Sequence, residues 1–467
     1  MAASAGDRTV VTAGEHSLTA AGLRVLARAA AGRFRRYPAV LYLGANGLAY
    51  PVALFGAALA GVPFVPLNYR LGGPQLDALL ARHPGALVLR PAERNGLLRA
   101  EADEEPVDAE WDGDAVAVLI YTSGTTAEPK AASLRHKHLL AYLLNTLEFG
   151  SAGETEAALV AAPPYHIAGL TNLLSNVYIG RRVVYLPAFT AADWLATVRR
   201  ERVTHAMVVP TMLARIVAEV PGGSAEVPTL RSLAYGGART PRAVLERALE
   251  LLPDTGFVNA YGLTETASTV AVLGPEDHRI AFAATDPVAR DRLGSVGRAL
   301  PGVEIRIRTG DGAPAAAGET GLVFVRGEQI SGEYGGRSVL EADGWFATRD
   351  LGRLDAEGFL FIEGRADDTI IRGGENIAPA EVEDVLLAYP GVLEAAVIGV
   401  PDPEWGQRLV AVLVGAGDPA EITRWVRDRL RSAKTPDEIV FRAELPRTET
   451  GKLLRRTLLA ELGAPSA

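Results

Sequence analysis

At 467 residues the chain is long enough to bury a large core and to divide into two or more domains. A formal net charge of −9 argues against a nucleic-acid binder, and the absence of cysteine excludes disulfides, thiolate metal sites and a cysteine nucleophile. The start lacks a basic segment followed by an apolar core, and the most apolar run, 50–66, is cut by Gly56, Gly61 and three prolines; no secretory signal or membrane span is expected, and a cytoplasmic location follows by elimination.

Short apolar β-rich runs then alternate with longer Ala/Leu/Arg stretches. A helix is expected over 23–33, a strand over 40–44, and a buried helix, turn and strand over 50–66. The apolar run 115–120 reads as a buried strand that delivers a polar segment, 121–130, to its carboxyl end. That segment carries Thr122, Ser123, Gly124, Thr125, Thr126 and Lys130. Short hydroxyls and free backbone N–H groups suit phosphate oxygens, and a lysine adds a mobile positive charge. The spacing is not that of a Walker A loop. Strands over 157–160, 183–186 and 205–209, with helices over 192–201 and 241–252, argue for α/β layers and largely parallel sheets. Gly236-Gly237-Ala238 follows an apolar run at 230–235, and paired glycines there permit close approach of a planar ligand.

From about residue 294 the text becomes short, β-rich and glycine-separated, as at 303–307 and 322–325, which suggests a small antiparallel barrel. A boundary is expected at 364–368. Beyond it come a helix at 379–388, strands at 395–400 and 409–414, and a helix at 420–431, enough for a small α+β domain. Lysine occurs only at Lys130, Lys137, Lys434 and Lys452, among 47 basic residues. A chain that almost always uses arginine keeps lysine where a compact point charge is needed.

Together the segments 121–130, 259–265, 345–353, 364–379 and 447–452 resemble the motif set of the adenylate-forming superfamily, closest in style to acyl- and aryl-CoA ligases. Adenylation domains and luciferases share it. The resemblance covers essentially the whole chain, with the motifs in their usual order. It implies a large amino-terminal domain, 1–366, of layered α/β sheets plus a small β-barrel, hinged near Asp367 to a small mobile α+β domain, 367–467. It implies ATP, Mg²⁺ and coenzyme A as cofactor and co-substrates, and a small carboxylic acid as substrate. No nucleic acid or membrane partner is expected, and the assembly is a monomer or homodimer.

Residue by residue, the resemblance assigns Thr122, Ser123, Gly124, Thr125, Thr126 and Lys130 to the outer phosphates. Gly236, Gly237 and Ala238 would lie against adenine, as would Tyr261, with Asn259 and Gly262 beside it. Thr264 offers a donor to the α-phosphate and Glu265 a hard oxygen ligand for Mg²⁺. Asp350 would accept from both ribose hydroxyls, Arg365 would reach the nucleotide, and Lys452 would bridge the carboxylate and an α-phosphate oxygen. His166 would stand between the acyl pocket and the thiol tunnel, Gly373 and Gly374 would line that tunnel, and Trp405 would sit near CoA.

The residues after His166 are not acidic, so nothing there would hold a substrate ammonium, and a simple carboxylic acid is expected. Leu170, Asn172, Gly236 and Ser268 are pocket candidates. The segment 434–438 carries acids where relatives carry bases for CoA phosphates; Lys434 and Arg408 could compensate. Ala127, Ala131 and Arg349 stand where glycine is common, and any of them needing a positive φ would be strained. Two alternatives stay open: a ligase loading a carrier protein's phosphopantetheine arm, and a catalytically weak nucleotide-binding homologue.

Overall fold

The structure, a computed structural model, describes residues 6–99, 112–122, 129–220, 222–448 and 451–463. Two large sheets form its body. The nine-stranded sheet runs in the order Arg298–Ala299, Ser268–Leu273, Gly256–Leu263, Ser232–Gly236, His205–Val208, Ala157–Val160, Arg182–Tyr185, Thr9–Ala13, His16–Thr19. Its interior pairings are parallel, and antiparallel ladders appear only towards the two edges. The strand Ala157–Val160 is buried at every position, the mark of a parallel strand covered on both faces. The helices Ala191–Arg200, Pro210–Glu219 and Arg242–Leu251 contribute Trp194, Leu195, Leu213, Ile216, Leu245 and Ala248 to one core beside this sheet.

The seven-stranded sheet runs Arg337–Ser338, Glu333–Tyr334, Lys130–Arg135, Val116–Thr122, Phe64–Leu67, Val40–Leu43, Leu87–Leu89. Tyr42, Tyr50 and Phe64 pack ring to ring beneath it, at 5.2 to 6.0 Å between centroids. The apolar run that interrupts itself with glycine and proline is thus a core helix, Ala49–Leu59, followed by a core strand. Among the described residues no helix is long and apolar enough to cross a membrane.

The glycine-separated β text folds as an antiparallel sheet of four strands, Val303–Arg308, Gly321–Gly327, Phe346–Leu354 and Leu360–Arg365 in that order. No ladder joins its first strand to its last among the described residues, so the expected barrel is hydrogen-bonded as an open sheet. The carboxyl-terminal domain has a sheet of Val392–Asp402, Gly406–Gly415 and Glu438–Arg442. The helices Pro379–Leu387 and Pro419–Arg427 pack on it through Val382, Leu386, Ile422 and Val426, against Leu409 and Leu413. Sequence periodicity places the helices Ala191–Arg200, Arg242–Leu251, Pro379–Leu387 and Pro419–Arg427 to within a few residues but does not mark Pro210–Glu219. It does not show the amino-terminal hairpin, whose outer strand is Thr/Ser-rich and half exposed.

The two domains touch on the side where the large sheets end. Arg239, just past the Gly236–Gly237 turn, pairs with Asp384 and donates to the Ala380 carbonyl at 3.4 Å. A Cβ added at Gly451 would come within 2.6 Å of Thr211 Oγ1, so the loop before Lys452 backs directly onto the amino-terminal domain.

Candidate active site

The strand Gly256–Leu263 passes into a short 3₁₀ turn, Thr264–Thr266, and then turns back as Ser268–Leu273. The reversal needs left-handed backbone at Ala267 (φ 51°) and Ser268 (φ 103°). Thr266 closes it, since its hydroxyl donates to the carbonyls of Leu263 and Ser268 and accepts from Leu263 N–H. Gln329 holds the outside of the turn by donating to the Thr266 and Thr269 carbonyls at 3.0 and 2.8 Å. The result is a rigid projection on which Thr264 is partly exposed and Glu265 is buried.

Glu265 is bound by groups that sequence reasoning missed. Its carbonyl accepts from Ser331 N–H at 2.8 Å and Gly332 N–H at 3.2 Å. Its carboxylate accepts a hydrogen bond from Tyr334 Oη. Burial and the Glu265 charge push the Tyr334 phenol up, so it stays a donor. Tyr334 pairs with Ala132 in the strand that carries Lys130, and Lys130 Nζ lies 6.0 Å from the Tyr334 ring centroid. Tyr334 therefore joins the strand Lys130–Arg135 to Glu265. Its only signal in the sequence is an aromatic residue next to Gly335-Gly336, in a stretch without periodicity.

Tyr261, Asp350 and Arg365 form a second cluster. Tyr261 Oη donates to Asp350 Oδ2 at 2.5 Å, and Arg365 lies 3.1 Å from Asp350 Oδ1. Asp350 is 5% exposed; burial raises its pKa, while Arg365, Tyr261 and Lys452 act to lower it. Lys452 comes in from the carboxyl-terminal domain. It sits in a tight loop in which Lys452 N–H donates to Thr448 Oγ1 at 3.0 Å and Arg447 donates to the Gly451 carbonyl at 2.8 Å. Desolvation and Arg365 lower the lysine's pKa, while the charges of Asp368, Asp350 and Glu265 pull it back up, although the residue as a whole remains solvent-exposed. One cation from each domain thus faces the same buried carboxylate.

The other expected residues are placed as follows. Gly236 lies against the next strand so closely that a Cβ would meet the Ala260 carbonyl at 2.2 Å. Gly237 (φ 83°) turns outward and Ala238 is exposed beside it. Asn259 donates its amide to the Ser295 carbonyl at 3.0 Å, so one of its donors is structural, and Gly262 pairs with Thr269. Thr122 ends its strand and donates to the Lys130 carbonyl at 3.4 Å. Ser123, Gly124, Thr125, Thr126 and Ala127 lie outside the described residues. Ala131 is an ordinary strand residue opposite Tyr121, without positive φ, so the expected strain is absent there.

His166 precedes the helix Ile167–Ile179, its ring 4.7 Å from that of Tyr165. Burial lowers its pKa to about 4, so it is neutral at pH 7. Of the pocket candidates, Leu170 is fully buried in the core beneath that helix, which removes it from the list. Gly373 and Gly374, both left-handed at φ 57° and 84°, turn the hairpin Ile370–Arg372/Glu375–Ile377. The hairpin tip is solvent-exposed in this arrangement, and Trp405, 47% exposed, lies against Gly373. Lys434 is bonded to Glu381 and Arg408 to Glu438, each at 2.6 Å, so neither is left to compensate for the acids at 437–438.

Arg349 is left-handed at φ 64°, and its guanidinium lies 3.6 Å from Asp367. Here the expected strain is present. At this position Arg349→Gly should be more stable than Arg349→Ala by about 1 kcal/mol, because both lose the ion pair and only alanine keeps the strained Cβ. Denaturant midpoints of the two variants measure this; an alanine variant as stable as the glycine one would contradict the left-handed backbone.

The family of AMP-binding enzymes matches residues 1–334, and the AMP-binding enzyme carboxyl-terminal domain matches residues 381–452. The chain is 38% identical over 448 residues to a feruloyl-CoA synthase of an Amycolatopsis species, covering 91% of this chain and 89% of that protein. It is 32% identical to a fatty acid–[acyl-carrier-protein] ligase, ScoC, of Streptomyces coeruleorubidus, over 97% of this chain and 90% of that one. The solved O-succinylbenzoate coenzyme A synthetase (MenE) of Bacillus subtilis, in complex with ATP and magnesium ion, superposes with a TM-score of 0.84 at 31% identity, covering 98% of each chain. The fold, the contact between the two domains beside Asp350 and these similarities agree: the chain belongs to the AMP-binding, adenylate-forming enzyme family.

Proposed function

We propose that the protein is an ATP-dependent carboxylic acid–CoA ligase. A carboxylate oxygen of the acid attacks the α-phosphorus of ATP and pyrophosphate leaves; the thiol of CoA then attacks the acyl carbon and AMP leaves. The observation that carries this reading is the placement of Lys452, from the carboxyl-terminal domain, within electrostatic reach of the Asp350–Arg365 pair and of Glu265. Charge develops on the α-phosphate oxygens and the attacking carboxylate, and a preorganised ammonium beside them lowers that barrier.

Asp350 takes the ribose hydroxyls and Tyr261 packs on the adenine opposite the Gly236–Gly237 turn. Thr264 donates to the α-phosphate. Thr122, Ser123, Gly124, Thr125, Thr126 and Lys130 hold the outer phosphates. Glu265 fits Mg²⁺ as its sole protein ligand. It is one buried carboxylate, held by a hydrogen bond from Tyr334, and the described residues contain no cluster of three or more metal-ligating side chains; Mg²⁺ commonly takes one or two carboxylates plus substrate phosphates. When bound there, Mg²⁺ offsets the charge of the triphosphate. His166, neutral, closes the acyl pocket on the thiol side.

The arrangement described serves the first step, with Lys452 in and the Gly373–Gly374 hairpin out. We place the domain boundary at 366/367 and the pivot at Asp367. Rotation there would withdraw Lys452 and bring Gly373, Gly374 and Trp405 to the cleft for the thiol. A second acceptor is favoured by one observation. The cations near the hairpin are each matched by an acid, Arg372 with Asp437, Arg408 with Glu438 and Lys434 with Glu381. Such a surface favours a phosphopantetheine arm on a carrier protein, which lacks the 3′-phosphate of CoA.

Mixing the protein with ATP, Mg²⁺ and a panel of carboxylic acids tests the reading. Acid-dependent pyrophosphate release without any thiol is expected, followed by thioester on adding CoA. Release without thioester until a phosphopantetheinylated carrier is added selects the second acceptor; no acid-dependent release with any member overturns the ligase reading.

A further inference from the structure

Almost every residue of the segment 329–334 grips either the Glu265 turn or the strand Lys130–Arg135. Gln329 bonds the Thr266 and Thr269 carbonyls, and the backbone N–H groups of Ser331 and Gly332 bond the Glu265 carbonyl. Ser331 Oγ donates to the Ser133 carbonyl. Glu333 accepts from both arms of Arg135, Nε at 2.9 Å and Nη2 at 3.0 Å. Tyr334 pairs with Ala132 and donates its hydroxyl to Glu265 Oε1. The hairpin that carries Tyr334, Glu333–Tyr334 with Arg337–Ser338, has two residues in each strand, too few to hold itself in place. Its position is therefore set by the Arg135–Glu333 fork, in which Glu333 is 7% exposed. A bidentate guanidinium–carboxylate pair fixes orientation as well as distance.

The chemistry at Glu265 makes this strap consequential. Mg²⁺ demands near-octahedral geometry and tolerates little displacement of its ligands. A glutamate side chain has several rotatable bonds, and a site with one protein ligand has no second ligand to correct its aim. Tyr334 supplies the aim. Its phenol, kept protonated by burial and by the Glu265 charge, holds Oε1, and among the described residues no donor bonds Oε2. One oxygen is thus fixed by the protein while the other is left for a metal. Groups that orient a metal ligand through a hydrogen bond commonly change metal affinity by about 10–100-fold when they are removed.

We propose that Tyr334 is a positioning residue for the metal step, orienting the Glu265 carboxylate towards Mg²⁺, and that the Arg135–Glu333 pair holds Tyr334 in place for that task. This rests on the assignment of Glu265 to Mg²⁺ in the ligase reading above.

The test measures Mn²⁺ affinity by electron paramagnetic resonance, with Mn²⁺ as the spin probe for the Mg²⁺ site and α,β-methylene ATP as the nucleotide, so that no turnover is needed. Tyr334→Phe, which removes one oxygen and keeps the ring that Lys130 faces, is expected to weaken Mn²⁺ binding about tenfold. It should raise the Mg²⁺ needed for half-maximal pyrophosphate release by a similar factor, with KM for the acid unchanged. In a Glu265→Gln background the same substitution should change Mn²⁺ affinity by less than about twofold, because the carboxylate it orients is gone. Arg135→Lys keeps the charge but loses the fork, and should weaken Mn²⁺ binding in the same direction by about threefold or more; it carries the test should Tyr334→Phe not fold, as judged by circular dichroism. A folded Tyr334→Phe with wild-type Mn²⁺ affinity, or one whose loss is equally large beside Glu265→Gln, makes Tyr334 a structural residue and overturns the inference. Wild-type affinity in Arg135→Lys overturns the part assigned to the Arg135–Glu333 pair. A wild type that binds Mn²⁺ with nucleotide but releases no acid-dependent pyrophosphate overturns the ligase reading and leaves this inference standing. Unchanged Mn²⁺ affinity in Glu265→Gln alone removes the metal from Glu265, and this inference with it.

Discussion

Lys452→Ala is expected to reduce adenylate formation by at least about 10²–10³-fold, the loss seen when one preorganised charge stabiliser is removed from a transition state. The alanine variant leaves the loop itself intact, because that loop is held by Thr448, Arg447 and backbone contacts and not by the ammonium group. The loss should therefore be chemical. Thioester formation from supplied acyl-adenylate should remain close to wild type, because the proposed second step takes place with this lysine withdrawn. Single-turnover rates for the two half-reactions separate these effects. Equal losses in both would remove Lys452 from the first step and leave it a structural residue of the domain interface.

Glu265→Gln should lower the first step by about tenfold or more and raise the Mg²⁺ concentration needed for half-maximal rate, since losing a charged metal ligand exceeds about 1.4 kcal/mol. Glutamine keeps the acceptor for Tyr334 Oη and leaves the Ser331 and Gly332 contacts to the backbone carbonyl untouched, so the turn should survive. Thermal midpoints close to wild type, with a displaced Mg²⁺ titration, are the expected combination. An unchanged Mg²⁺ dependence would make Glu265 an anchor for Tyr334 and nothing more.

Much of this architecture is legible in the sequence because it rests on strong local patterns. The run at 157–160 is a strand of the same bounds, and helices such as Ala191–Arg200 and Arg242–Leu251 announce themselves by amphipathic spacing. The motif residues Tyr261, Asp350, Arg365 and Lys452, far apart in the chain, meet in one cluster. What the sequence hides is pairing at long range. Nothing in the text around Tyr334 says that its hydroxyl reaches Glu265, and nothing at Gln329 says that it clamps the turn beyond it. The charges at Lys434 and Arg408 read as available, and only the fold shows each against an acid. Glycine replacement divides cleanly. Alanine at position 131 sits in a regular strand, while arginine at 349 takes the left-handed backbone and turns the side chain to Asp367. The sequence marks both positions alike; the bulged ladder that separates them is a tertiary feature.

The central claim is that the acid is activated as its adenylate. Oxygen transfer measures this directly. With both carboxylate oxygens of the acid labelled with the heavy isotope of oxygen, the carboxylate oxygen that attacks phosphorus stays on AMP when the thiol displaces it. The account predicts AMP carrying one labelled oxygen for each thioester formed, and unlabelled pyrophosphate. Unlabelled AMP, or label recovered in pyrophosphate or inorganic phosphate, would contradict it.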